Sequence, residues 1–128
     1  MATNLTQFIR GIRQHRRTIS LVVLPEYQGK IALDALARVV LKTPVDTGAA
    51  RGNWQLTTGK SAVGPIAPMT LEGQLAQGQA NIAVATAGDV YLISNSIEYI
   101  IPLENGRSGQ APAGMVGVTV AELRAEQG

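Results

Sequence analysis

Two prolines bracket the stretch that most constrains this chain. Pro25 disfavours a helical conformation at Leu24, and Pro44 closes the run that follows, so the element between them is bounded at both ends. Inside the bracket Ile31, Ala35, Leu36, Val39 and Val40 recur at helical spacing. That predicts a helix from Pro25 to about Lys42, with proline in its first turn and Lys42 near the negative end of its dipole. The apolar face of such a helix has little bulk to pack against, because the 128 residues include 17 Ala and 14 Gly but only five aromatics. Burial free energy scales with apolar area, so a core of small residues is light and gains from completion by a neighbour.

After the bracket, Pro44 to Gly48 has turn chemistry throughout: proline fixes φ, Asp46 can accept from a nearby amide, and Gly48 allows a left-handed backbone. GNWQLTT at 52–58 alternates Trp54 and Leu56 with polar neighbours and reads as a strand, with Trp54 the largest core candidate. Residues 58–69 read as loop. From Thr70 onward Leu71, Leu75 and Ile82 fit one helical face with Gln74, Gln77 and Asn81 opposite, although Gly73 and Gly78 each cost about 1 kcal/mol there. VYLIS at 90–94 is a second strand, ending near Asn95. ENGRSGQAPAG is irregular, and residues 113–124 fit both a strand and a helix.

Charge is uneven. Residues 1–25 carry Arg10, Arg13, Arg16 and Arg17 with no acid, inside a net charge of +2. Leu5, Phe8, Ile9, Ile12 and Ile19 recur near the helical period, so residues 1–20 are expected to hold a basic amphipathic helix. Arg10, Arg13 and Arg17 then fall on one face, as solvated surface, as contacts to phosphates, or as partners of an acidic neighbour. A membrane surface is the poorest fit, with one Phe and no Trp on the apolar side.

Catalytic chemistry is hard to assemble. Without cysteine there is no thiol nucleophile, disulfide or Cys-ligated zinc, and with His15 alone no site can use two imidazoles. His15 has Arg neighbours and no carboxylate nearby in sequence to orient it. Gly59-Lys60-Ser61 matches the end of a phosphate-binding loop, but that loop needs glycine where Trp54 stands. No apolar run approaches the ~20 residues of a membrane span, and the start lacks the apolar core of a secretory signal, which predicts a soluble, unsecreted protein.

PVDTGAARGNWQ at 44–55, a strand closing on Asn95, Tyr99, and LENGRSGQAPAGMV at 103–116 together resemble the tail-completion or neck family of long-tailed bacteriophages, the minor tail protein Z group. The resemblance spans roughly residues 25–125. It implies a non-enzymatic virion protein at the head–tail junction, present in the host cytoplasm during assembly and needing no cofactor or metal. The implied partners are further copies of itself in a ring, six-fold by analogy with such tails, then the tail-terminator or tail-tube protein, the head-closure protein, and DNA passing through the channel. Its motif falls on Pro44, Asp46, Thr47, Gly48, Arg51, Trp54, Asn95, Tyr99, Leu103, Glu104, Gly106, Ser108, Gln110, Ala111, Pro112, Gly114 and Met115. The long irregular segment ENGRSGQAPAG is expected to set Glu104, Arg107, Ser108 and Gln110 against a neighbouring subunit. Arg10, Arg13 and Arg17, outside the resemblance, are expected to line the channel of such a ring or meet an acidic partner. The family's C-terminal segment implies that residues 113–124 are helical. The expected fold is α+β, a single domain of about four helices on a small, mostly antiparallel sheet. A small DNA-binding module using the Arg-rich first helix is the competing reading.

Overall fold

The computed structural model describes residues 9–15, 18–23, 28–44, 48–60, 62, 64–86, 88–97, 100–105 and 114–127. In chain order these form β1 (Ile9–His15), β2 (Thr18–Val23), α1 (Gln28–Lys42), a 3-10 turn at Arg51–Asn53, β3 (Gln55–Thr58), α2 (Leu71–Ala83), β4 (Tyr91–Asn95), α3 (Ile100–Glu104) and α4 (Val116–Gln127). The strands make one antiparallel sheet in the order β1-β2-β4-β3. The fold is α+β, as expected. Three helices of at least twelve residues carry the packing, and α3, five residues long, completes the expected four only as a single turn.

The first correction concerns the N-terminal segment. Residues expected as a basic amphipathic helix over 1–20 instead form the hairpin β1–β2, with Ile12 opposite Leu21 and Arg13 opposite Ser20. TISLVV is rich in β-branched side chains, which favour strands, and Gly11 would weaken a helix by about 1 kcal/mol. Ile19, Leu21 and Val23 turn to the main apolar cluster, and Ser20 and Val22 between them are buried as well, so β2 is enclosed on both faces, as a central strand can be and an amphipathic surface helix cannot. Three-and-four spacing has no meaning on a strand of period two, so Arg10 and Arg13 do not form the proposed helical stripe. Arg17 lies outside the described residues.

All three long helices lie against one face of the sheet. α1 sits in the middle, touching β4 and β3 as well as both other helices; α2 lies over β3 at one flank, and α4 reaches β1 at the other. Ala32, Ala35, Leu36, Val39 and Val40 of α1 meet Ile19, Leu21, Leu56, Ile93 and Trp54 in the core. Alanines on α1 and Gly78 on α2 let backbones approach: a Cβ on Gly78 would stand 3.1 Å from the Leu56 Cβ. The helix cost of Gly78 is therefore offset by tight packing on β3.

α2 also corrects the expected polar face. Thr70 caps it, its Oγ1 accepting from the Gly73 amide at 3.1 Å. Gln74, expected on the solvent side, is buried, and Asn81 points its amide at β3. Only Gln77 of those three is exposed.

Candidate functional site

The motif residues converge on two joints of the fold. The first surrounds Trp54, which is fully buried and donates from Nε1 to Thr43 Oγ1 at 2.8 Å. That hydroxyl donates in turn to the Val39 carbonyl at 2.6 Å, so the indole is tied to the last turn of α1. Arg51 reaches the same helix end, its Nε donating to the Thr43 carbonyl at 3.2 Å and its guanidinium to the Leu41 carbonyl at 3.2 Å. Unpaired carbonyls at a helix C-terminus favour such a cation. Pro44 is buried where α1 ends, and Gly48 adopts φ +74, as its turn role requires. Asp46 lies outside the described residues.

Irregular backbone cannot be buried unless its polar groups are paired, and here carboxamides do the pairing. Asn53 donates to the Ala49 carbonyl at 2.8 Å and the Ile66 carbonyl at 3.1 Å, and accepts from the Ile66 amide at 2.7 Å. Asn95, at the end of β4, donates to the Ala50 carbonyl at 2.8 Å. Gln74 donates to the carbonyls of Arg51 at 2.9 Å and Trp54 at 3.1 Å, and Asn81 to that of Leu56 at 2.8 Å. Of these four, the sequence motif flagged only Asn95. Asn53 beside the buried tryptophan was the available clue, whereas nothing local to Gln74 or Asn81 marks them as inward.

The second joint is Glu104. Its Oε1 accepts from the amides of Met115 and Val116, both at 2.8 Å, and its Oε2 from Gly117 at 2.9 Å. A carboxylate across the first turn of α4 satisfies orphan donors and complements the helix dipole. Gly114, at φ +84, brings the chain in so closely that a Cβ there would collide with the Glu104 carbonyl. Glu104, expected to face a neighbouring subunit, thus has both carboxylate oxygens engaged inside its own chain. Arg107, Ser108 and Gln110, expected beside it, lie outside the described residues, as does Tyr99.

α4 is also pinned laterally. Arg38 of α1 bonds Asp34 at 2.8 Å, Glu126 at 2.7 Å and Glu122 at 3.3 Å, and Lys42 bonds Glu122 at 2.7 Å. The Lys42 ammonium holds Glu122 below the usual carboxylate range, and the Arg38 guanidinium does the same to Glu126, while Glu126 and Asp34 raise Arg38 further. Among the described residues no three His, Asp or Glu side chains cluster in a way that could hold a metal ion. No helix among them is long and apolar enough to cross a membrane. Comparison with known protein families, with curated proteins and with solved structures returned no match.

Proposed function

We propose that this chain is a structural protein of the bacteriophage neck: a tail completion protein whose copies close into a ring, six-fold like the tails it would serve, joining tail to head. The observation that carries the reading is the coincidence of motif and architecture. The two motif segments resemble those of the neck family in kind and order, and their residues are spent on joints rather than on an open cleft. Trp54, Arg51 and Asn95 lock the segment after α1, and Glu104 with Gly114 anchors α4. Residues used this way suit a part that must keep its shape under load.

Each copy would dock one side on the tail-terminator or tail-tube ring and the other on the head-closure ring, leaving a channel for DNA. Heterologous contacts close into a ring when the rotation between copies permits. The light core fits a subunit that buries further surface on assembly. The test is the mass of the purified protein by light scattering over a range of concentrations, alone and mixed with the tail-terminator protein of its phage. A closed oligomer in either condition supports the reading. A monomer that ignores the tail proteins yet binds duplex DNA with steep salt dependence would replace it with the DNA-binding module.

A further inference from the structure

Two helices flank α1 over the sheet, and the chain fastens them by different chemistry. α2 is held by uncharged groups: Gln74 donates to the carbonyls of Arg51 and Trp54, Asn81 donates to that of Leu56, and Gly78 brings the helix down on the Leu56 side chain. Salt has little hold on contacts of that kind. α4 is fastened through carboxylates. Glu104 accepts from the amides of Met115, Val116 and Gly117 at its start, Glu122 pairs with Lys42 at 2.7 Å and with Arg38 at 3.3 Å, and Glu126 meets Arg38 through both oxygens at 2.8 and 2.7 Å. An isolated surface pair contributes little, but a bidentate arginine shared within a network is the case in which such pairs count.

The inward faces of the helices differ as well. The buried residues of α1 are all apolar: Ala32, Ala35, Leu36, Val39 and Val40. On α4, Val116, Val120 and Leu123 join the core, but Thr119 among them is fully buried and its hydroxyl has no hydrogen-bond partner. Gln74 of α2 also leaves its amide oxygen unpartnered, yet its nitrogen makes two bonds across to the neighbouring segment. The Thr119 hydroxyl makes none, and a buried polar group left unpaired weakens the packing around it.

We propose that α4 is an ionic latch, which opens as a unit when its charged contacts are screened or removed, while the sheet, α1 and α2 stay folded. Arg38 is its hinge pin, because one guanidinium holds both Glu122 and Glu126. Proteins open locally in cooperative units whose free energies lie below that of global unfolding, and the unit whose fastenings share one weakness opens by itself when that weakness is addressed. The device belongs to the single chain and does not depend on the ring reading.

The chain has no cysteine, so one introduced thiol reports cleanly. Thr119→Cys is close in size and stands on the buried side of α4, and Ser94→Cys is its counterpart on the central strand β4, equally buried. In the folded protein a thiol reagent is expected to label Thr119→Cys about tenfold faster than Ser94→Cys, and about fivefold faster again when salt is raised from about 0.05 to about 1 M. Arg38→Met combined with Thr119→Cys should reproduce much of the high-salt rate at low salt, while labelling of Ser94→Cys changes by less than about twofold under either condition. Hydrogen exchange of the unsubstituted protein makes the same comparison without a new side chain: amides of Val116–Gln127 should exchange ahead of those of Leu71–Ala83 and gain on them as salt rises. Equal labelling at the two positions, or α4 amides exchanging in step with those of α2, would mean that α4 opens only with the whole fold and would overturn the proposal. Faster labelling of Thr119→Cys that ignores both salt and Arg38→Met would overturn it too, since the latch would then not be ionic.

Discussion

The two edges of one four-stranded sheet have been handled in opposite ways. At β3, four buried or half-buried carboxamides and an indole fix the backbone from Thr43 to Leu56, so that flank is finished within the chain. At β1 the sequence carries two arginines, the pairing has a bulge between Ile9 and Gly11, and α4 lies beside the strand. Charge and bulges are also how proteins keep edges from pairing indiscriminately. The contrast is one of internal fixing: side-chain to backbone bonds are concentrated where the sequence motif lies.

The most severe way to break the closed flank is at Trp54. Trp54→Ala empties the centre of the core and leaves Thr43 without its donor, and should cost about 3–5 kcal/mol in urea denaturation. Gln74→Leu keeps the volume but strands the carbonyls of Arg51 and Trp54, for an expected loss of about 1–3 kcal/mol. If Gln74→Leu proved neutral, carboxamide closure of β3 would be incidental. Glu104→Gln keeps the shape but loses charge at the start of α4, and should destabilise by about 1 kcal/mol, less so in high salt.

The pins between α1 and α4 should respond least. Glu122 and Glu126 are held below the usual carboxylate range, so their contribution is present above that range and is lost as pH falls through their lowered values. Thermal midpoints should therefore drop between about pH 5 and pH 3, and Arg38→Met should flatten that part of the profile. Both carboxylates are solvent-exposed, so the drop should be small beside that from Trp54→Ala.

Much of this fold was legible in the sequence, for reasons that also explain what was not. α1 is read correctly because prolines bound it and its apolar residues share one period. β4 is read from VYLIS, and the break at Pro44 from turn chemistry. The N-terminal hairpin is misread because Ile9, Ile12 and Ile19 fit a helical period by accident, while the true signal was the β-branched run Thr18–Val23. Gln74 and Asn81 are misread because a helical wheel assigns polar residues outward, and their carbonyl partners lie in the turn before β3 and on β3, 20 to 25 residues away in sequence. The Glu104 cap is a tertiary contact across a loop, so no local capping pattern announces it.

Hydrogen exchange, followed peptide by peptide with the protein held below and then above its assembly concentration, compares the two edges in one experiment. Amides of β3 and of the 3-10 turn before it should be equally protected in both states, because the carboxamides of Asn53, Gln74 and Asn81 already hold that flank within the chain. Protection gained at β3 on assembly would contradict a flank finished within the chain.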